Sequence, residues 1–103
     1  MFVAELPIAF SQADIIAFCE RHHIVKLAVF GSVLRDDFRT DSDIDVLVTF
    51  DPQHIPGWEF VDMQDELTML MGRQVDLNTI GFLSRYFRDR VVSEALVLYE
   101  RPR

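Results

Sequence analysis

Hydrophobic and polar positions fall along the chain in blocks that predict four strands separated by helices. Apolar runs at residues 24–30 and 44–50 predict two strands. The centre of the second run, residues 46–48, is unbroken, which indicates burial on both faces of a sheet. Shorter apolar stretches at 74–77 and 95–99 predict two more strands, and the last of these is expected at an edge.

The first helix is predicted by its starting residues. Ser11 and Asp14 have the form of a capping box, in which the two side chains satisfy free N–H groups of the first turn. The helix should end near residues 22–23. Its apolar face is predicted to consist of Ile15, Ile16, Phe18 and Cys19.

Two later segments also have helical spacing. Residues 58–71 predict the longest helix, with Gly72 as its stop, and Met63, Met69 and Met71 should fill a core or an interface. Residues 80–93 predict one or two short helices. Inward-facing side chains are expected at Phe60, Met63, Leu67 and Leu70 in the long helix, and at Tyr86, Phe87, Val91 and Val92 in the later segment.

The regular alternation of helices and strands predicts the fold class. We expect an α/β (α+β) domain with a small mixed sheet of about four strands and flanking helices. A chain of 103 residues fits one domain, spanning residues 1–103.

Charge and composition narrow the function classes. The net charge of −7 argues against DNA or RNA as a direct main partner, because such proteins normally present a basic face. The same charge fits both carboxylates gathered around a divalent metal and a basic protein partner, and it does not choose between them. No apolar run reaches the roughly 18 residues of a membrane span, and residues 1–5 do not resemble a signal peptide. The single cysteine, Cys19, is expected to be buried, and a cytoplasmic location is predicted.

Two aspartates at the start of the second strand are the first candidates for chemistry. Strand side chains alternate between faces, so Asp43 and Asp45 should point the same way, with Cα atoms about 6.6 Å apart. Two carboxylates on one face repel each other unless a cation lies between them. Mg²⁺ prefers oxygen ligands and keeps positions for water or phosphate. The pair therefore suits one or two Mg²⁺ ions bound with a triphosphate, and two is the expected number.

A Gly-Ser pair at the end of the first strand supplies a candidate phosphate site. Gly31 lets the backbone approach a ligand closely, and Ser32 could cap a short helix that runs to about Asp37. The N–H groups at such a helix start attract phosphate oxygens. Arg35, in the same loop, is a further candidate for contact with a phosphate.

A third carboxylate is available in the third strand. If that strand lies beside residues 44–50, Asp76 can reach the metal pair as a ligand and as a general base. Gly-Ser and Asp-x-Asp are each common on ordinary turns and loops. Their order and spacing, with an apolar strand behind them and Asp76 in the next strand, favour a functional site. Asp36, Asp37 and Asp41 are expected to be solvated loop charges.

These residues resemble the minimal nucleotidyltransferase (MNT) family, a branch of the DNA polymerase β-like superfamily. The family signature is Gly-Ser, a spacer of nine or ten residues and Asp-x-Asp, followed by an aspartate on a neighbouring strand; here the spacer has ten residues. The resemblance covers nearly the whole chain. It departs from the family pattern at Asp36, where glycine is frequent, at Arg85, where proline is frequent, and at Asn78, where an apolar residue is usual.

The resemblance implies a function. The family acts as the antitoxin of two-gene modules whose toxin is a HEPN-domain ribonuclease, and members transfer AMP from ATP to a tyrosine hydroxyl of that toxin, releasing pyrophosphate. Gly31 and Ser32 would then bind the phosphates, Asp43 and Asp45 the metal ions, and Asp76 would take the third carboxylate role. ATP is the implied co-substrate, and a hetero-oligomer with the toxin is the implied assembly.

Two other functions remain open at this stage. A non-catalytic antitoxin could neutralise its toxin by covering the toxin's active site with this acidic surface. Transfer to a small molecule such as an aminoglycoside is the other alternative, although enzymes of that kind generally carry extra substrate-binding elements. Occlusion does not require three carboxylates in this arrangement, which favours the catalytic antitoxin.

Overall fold

A computed structural model describes residues 8–35, 38–39 and 41–102. Within those residues, helices and strands follow one another in the predicted order. The α-helices are α1 (Gln12–Arg21), α2 (Glu59–Met71) and α3 (Arg88–Glu94). The strands are β1 (Ile24–Phe30), β2 (Ile44–Phe50), β3 (Val75–Asn78) and β4 (Leu96–Glu100). Two 3₁₀ helices cover Gly31–Leu34 and Ile80–Phe82.

The four strands form one mixed sheet in the order β3-β2-β1-β4. Strand β1 pairs antiparallel with both β2 and β4, whereas β2 and β3 are parallel. A parallel pair needs a crossover connection, and α2 provides it. The predicted mixed sheet is confirmed, and β4 lies at an edge as expected.

The main core lies between one face of the sheet and helices α1 and α2. The central strands contribute Leu27, Val29, Val46 and Val48, all fully buried. The helices contribute Ile15, Phe18, Cys19, Met63, Leu67 and Met71. Burial raises the pKa of the Cys19 thiol to about 12, so this thiol is a core side chain with little reactivity, as predicted.

The opposite face of the sheet is more open. Lys26, Ala28, Leu47 and Thr49 lie on it and line a cavity of about 80 Å³ with side chains from the segment that contains α3. Leu47 is buried, whereas Asp45 and Thr49 are only half-buried. The predicted burial of β2 on both faces is therefore complete on the helix side and partial on the other. No helix among the described residues is long and apolar enough to cross a membrane.

Helix α1 follows most of its sequence signals, although only the Ser11 half of the predicted capping box forms. The Ser11 hydroxyl accepts a hydrogen bond from the Asp14 backbone N–H at 3.2 Å, which caps the first turn. Ile15, Phe18 and Cys19 are buried as predicted. Ile16 was expected on the same face but is 40% exposed. Consecutive residues of an α-helix are rotated by about 100° around its axis, and this rotation brings the residue after Ile15 to the rim of the core.

Helix α2 begins one residue later than predicted. Trp58, which precedes it, is 93% exposed. Gly72 ends the helix in the left-handed conformation, with a φ of 69°. Met63 and Met71 fill the core as expected, but Met69 is 84% exposed and lies on the outer face. Phe60 and Leu70 are partly buried against the core.

The segment after β3 contains the largest error of the sequence-based expectations. Two short helices form there, as predicted, but Tyr86, Phe87 and Val92 are 86%, 47% and 45% exposed, and the last two line open cavities. Leu83 is the buried anchor of this segment. Tyr86 and Phe87 lie in the turn before α3 and not in a helix, so the helical spacing that predicted their orientation does not apply to them.

Neighbouring isoleucines in α1 provide a matched test of this packing. We expect Ile15→Ala to lower the free energy of unfolding by about 2–5 kcal/mol, because it leaves a cavity under the sheet. Ile16→Ala should cost less than about 1 kcal/mol, since that side chain is already partly in water. Urea unfolding of both variants measures the difference, and equal losses would contradict the orientation of α1.

Candidate active site

The chain leaves β1 through a tight turn at Gly31. Its φ of 77° is a backbone conformation that glycine adopts without steric cost, and it leads directly into the 3₁₀ helix Gly31–Leu34. Ser32 was expected to cap a longer helix reaching Asp37. Instead it lies inside the 3₁₀ helix, which ends at Leu34, and Phe30 occupies the capping position without a side-chain hydrogen bond. Asp36 and Asp37 lie outside the described residues.

Gly31 is packed against the carboxylate of Asp45. A Cβ atom added at position 31 would overlap Asp45 Oδ2 and would lie 3.2 Å from its Cγ. The absence of a side chain at this position therefore makes room for the carboxylate, in addition to allowing the positive φ. This contact joins the Gly-Ser turn and the Asp-x-Asp strand into one site.

Strand pairing brings the remaining carboxylates to the same place. In the parallel register of β2 and β3, Asp45 lies directly opposite Asp76. In the antiparallel register of β1 and β2, Asp45 lies opposite Phe30, the residue before Gly31. Asp43 precedes β2 by one residue and is exposed. The expectation that the third strand neighbours residues 44–50 is confirmed, and with it the proximity of Asp76 to Asp45.

The pKa of Asp45 reflects the negative charges around it. Burial raises the pKa of its half-buried carboxyl, and the carboxylates of Asp76 and Asp43 raise that pKa further. The positive charge of Arg35 acts in the opposite direction and lowers it. Asp43, Asp76 and Arg35 therefore each lie within electrostatic range of Asp45, and a cation bound beside Asp45 would relieve the repulsion between it and the other two carboxylates.

The donor set suits a metal that shares its ligands with a substrate. Among the described residues, no group of three or more carboxylate, histidine or cysteine side chains is placed to hold a metal ion as a protein-only cage. Mg²⁺ is usually held by one or two carboxylates together with water and substrate phosphates, so such a cage is not required. Asp45 and Asp76, adjacent on paired strands, fit this mode. The assignment of Asp43, Asp45 and Asp76 as metal ligands stays a prediction.

The loop before Asp43 is held by an arginine that sequence reasoning missed. The Arg73 guanidinium donates hydrogen bonds to the carbonyl oxygens of Arg39 and Ser42, at 2.6 and 3.2 Å, and lies 4.4 Å from the ring centroid of Phe38. The backbone N–H of Ile44 donates to the Gln74 carbonyl at 2.9 Å. Arg73 thus fixes the backbone immediately before Asp43. Its place just after Gly72 carries no sequence signal for such a contact.

A cavity of about 280 Å³ opens beside Gly31 and includes further residues that the sequence did not single out. Arg35 lines it, as do side chains from α3 and its approach. Arg90 and Glu94 were missed altogether, whereas Phe87 and Val91 were expected to face inward but not to lie beside the Gly-Ser turn. The only available signal was the spacing of Arg90 and Glu94 by four residues, which predicts an ion pair on a helix but not its position beside the Gly-Ser turn.

The contact between Gly31 and Asp45 can be tested with two glycines of similar backbone conformation. Gly31→Ala and Gly72→Ala should each cost about 1–2 kcal/mol of stability, because both residues have a positive φ. Only Gly31→Ala should also displace Asp45, since an added Cβ at position 72 has no atom within 4 Å. We therefore expect Gly31→Ala alone to weaken, by about 100-fold, the nucleotidyl transfer that the family resemblance implies. Unchanged transfer in this variant would show that the site does not depend on the contact.

The raised pKa of Asp45 predicts how stability depends on pH. A carboxyl whose pKa is raised by folding is destabilising when ionised, so stability falls as the pH rises through the range between its unfolded and folded pKa values. With EDTA present, Asp45→Asn should raise the melting temperature by a few degrees at pH 7. The gain should disappear at acidic pH, where Asp45 is protonated in both states.

Thermal melting across pH 3–8 measures this effect, with the exposed Asp65→Asn as a control for the change in net charge. A melting temperature of Asp45→Asn below that of the wild type at pH 7 would mean that the Asp45 carboxylate stabilises the fold.

Comparison with known proteins relates this chain to nucleotidyltransferases. The family model for polymerase beta nucleotidyltransferases matches residues 13–103. A candidate protein adenylyltransferase of Methanocaldococcus jannaschii is 30% identical over 85 residues, which are 82% of this chain and 90% of that protein. Protein adenylyltransferase MntA of Thermococcus cleftensis is 39% identical over 59 residues, which are 56% of this chain and 58% of that protein.

Solved structures share the fold. A candidate minimal nucleotidyltransferase superposes with a TM-score of 0.68 at 33% identity, covering 82% of this chain and 86% of that one. A toxin–antitoxin structure with AMP-PNP superposes with a TM-score of 0.64 at 21% identity, covering 88% of this chain and 74% of that one. A tri-AMPylated HEPN toxin of Shewanella oneidensis in complex with an MNT antitoxin matches with a TM-score of 0.56 at 20% identity, covering 87% and 70%.

At the lower identities the likeness concerns the fold alone. The family model, however, spans nearly the whole chain. The resemblance to minimal nucleotidyltransferases is confirmed, and the chain belongs to the polymerase beta nucleotidyltransferase family.

Proposed function

We propose that this protein is a Mg²⁺-dependent protein adenylyltransferase that transfers AMP from ATP to a tyrosine hydroxyl of a HEPN toxin, and so acts as the toxin's antitoxin. The observation that carries the proposal is the group formed by Asp45, its cross-strand partner Asp76 and Gly31. The position of Asp43, two residues before Asp45, completes the carboxylate set that the family signature requires.

In this proposal the Gly-Ser turn binds the triphosphate. Gly31 has no side chain to keep a ligand from the backbone, and its positive φ turns the chain sharply at the mouth of the cavity. Ser32 follows it within the 3₁₀ helix and supplies a hydroxyl donor. Arg35, whose charge acts on Asp45, offsets the negative charge where phosphate and carboxylates meet.

The carboxylates are assigned to two tasks. Asp43 and Asp45, with Asp76, would hold two Mg²⁺ ions, which when bound would neutralise phosphate charge and help ionise the attacking hydroxyl. The raised pKa of Asp45 supports this assignment, because a metal ion would favour the ionised form that burial and the neighbouring carboxylates oppose. Asp76 is exposed, so its carboxylate is open to an incoming acceptor hydroxyl.

The transfer itself is a displacement at the α-phosphorus. The tyrosine oxygen forms a bond to that phosphorus while the bond to the oxygen that bridges the α- and β-phosphates breaks. Asp76 accepts the phenolic proton, and pyrophosphate leaves with the electron pair of the broken bond. A phenol has a pKa near 10, so a positioned carboxylate is needed to make it a competent nucleophile at neutral pH.

The partner is inferred from relatives and from the openness of the site. One structure with this fold is an MNT antitoxin bound to a tri-AMPylated HEPN toxin, and another toxin–antitoxin structure carries AMP-PNP. The described residues add little around the carboxylates beyond the core fold, so the choice of acceptor would come from a docked protein. An added AMP is a bulky anion, which would repel RNA phosphates from a ribonuclease site.

Co-expression with a HEPN partner followed by intact-mass spectrometry tests the proposal. The wild type should add the mass of one or more adenylate units to the partner, and Asp45→Asn should add none. Asp65→Asn, which makes the same charge change on the outer face of α2, should behave as the wild type. If the partner is neutralised while its mass stays unchanged, the protein acts by occlusion of the toxin and not by AMP transfer.

The role of Asp76 has a separate signature. Asp76→Asn keeps an oxygen that can bind metal weakly but cannot take up a proton, so transfer should fall by about 100-fold or more while ATP affinity changes little. Parallel measurements of single-turnover transfer and ATP binding separate the two effects. Equal losses in both would make Asp76 a metal ligand only.

A further inference from the structure

The cavity beside Gly31 has a charged side that the proposed function leaves unassigned. It measures about 280 Å³ and lies between the turn after β1 and helix α3. Its charged lining consists of Arg35, Arg90 and Glu94, and its apolar lining consists of Phe30, Phe87 and Val91. Two guanidinium groups therefore line one small cavity in a chain with a net charge of −7.

Charge changes sign along the line from the carboxylates into this cavity. Asp45 abuts Gly31, and Gly31 itself lines the cavity. Arg35 lies within electrostatic range of Asp45 and also lines the cavity. Arg90 belongs to α3, on the other wall. An extended anion with one end at the carboxylates would therefore have its other end in the cavity, near the two positive side chains.

The present partner of Arg90 is weakly held. Its Nε donates to Glu94 Oε1 at 3.1 Å, in an ion pair whose side chains are 76% and 57% exposed. Exposed pairs of this kind contribute little to stability, so Arg90 can exchange its partner without loss of the fold. Phosphate oxygens bind a guanidinium through two parallel hydrogen bonds, which are stronger than the single bond present here.

We propose that Arg90 contacts the β- and γ-phosphates of ATP, and that Glu94 is its partner when no nucleotide is bound. The inference rests on the proposed function, because AMP transfer requires the α-phosphate to lie at the carboxylates. The remaining two phosphates must then extend away from them. The cavity beside Gly31 is the adjacent space with cationic side chains, and Arg90 is the cation on its far wall.

The proposal assigns opposite effects to the two members of the ion pair. Arg90 stabilises the phosphate tail and the pyrophosphate that leaves. Glu94 competes with that tail for Arg90 and repels it, so removal of its charge should favour nucleotide binding. If the ion pair on α3 were purely structural, substitution of either residue would lower the stability of the protein by the same amount. Neither substitution would then change the affinity for ATP more than the affinity for AMP.

Calorimetric titration with ATP and with AMP, in the presence of Mg²⁺, tests the assignment. Arg90→Ala should weaken ATP binding by about 10–100-fold, the loss typical of a hydrogen bond to a charged group, and should change AMP binding less than about 2-fold. Glu94→Gln should strengthen ATP binding by about 2–5-fold. Arg85→Ala is the matched control, since it removes an arginine that lies over the exposed Tyr86 ring and does not line the cavity.

Three outcomes would overturn the assignment. Equal loss of ATP and AMP affinity in Arg90→Ala would place the side chain at the nucleoside or α-phosphate. Unchanged ATP affinity in Arg90→Ala would show that Arg90 does not contact the nucleotide. The proposed function would still stand in that case, provided that the wild type binds ATP with Mg²⁺. A wild type that binds no ATP would overturn both the proposed function and this inference. If Arg90→Ala does not fold, Arg90→Lys and Glu94→Gln carry the test, with expected effects of opposite sign on ATP affinity.

Discussion

The half-buried carboxylate of Asp45 is the group on which the site depends. It lies against Gly31, opposite Asp76 and two residues after Asp43, so three sequence segments meet at one side chain. The paired strands fix its position, and the glycine leaves space for it. A larger residue at position 31 would remove that space, and a shift of one residue in the register of β3 would turn Asp76 to the other face of the sheet.

This arrangement is costly to the folded protein when no cation is bound. Burial and two neighbouring carboxylates raise the pKa of Asp45, so ionisation at neutral pH opposes folding. The core compensates through buried apolar side chains beneath β1 and β2. A metal ion bound among these carboxylates, as proposed, would relieve this cost, and its binding would thereby stabilise the fold.

The sequence predicted best where a pattern has a local physical cause. Strand β2 begins and ends as its apolar run indicates, and Gly72 ends α2 because it adopts the left-handed conformation. The proximity of Asp76 to Asp45 also followed, since a parallel strand beside β2 must present its side chains in register. Ser32 was misplaced because the sequence does not distinguish the cap of an α-helix from the second residue of a 3₁₀ helix.

Contacts between distant segments could not be predicted in the same way. Arg90 and Glu94 have the spacing of a helical ion pair, but their position beside Gly31 depends on how α3 packs across the open face of the sheet. Arg73 fixes the loop before Asp43 through backbone carbonyl groups, which leave no mark on the sequence. Tyr86 was expected inside, yet it is 86% exposed, and Phe87 is 47% exposed where it lines the cavity beside Gly31.

ATP that is labelled on one phosphate provides the most direct test of adenylyl transfer at the carboxylate site. Purified protein and a purified HEPN partner are incubated with ATP that is labelled at either the α- or the γ-phosphate, with Mg²⁺ or with EDTA. Adenylyl transfer at the carboxylates predicts that only the α-label becomes attached to the partner, that attachment requires Mg²⁺, and that Asp45→Asn attaches none. Attachment of the γ-label, or attachment of the α-label in EDTA or with Asp45→Asn, would contradict adenylyl transfer at this carboxylate site.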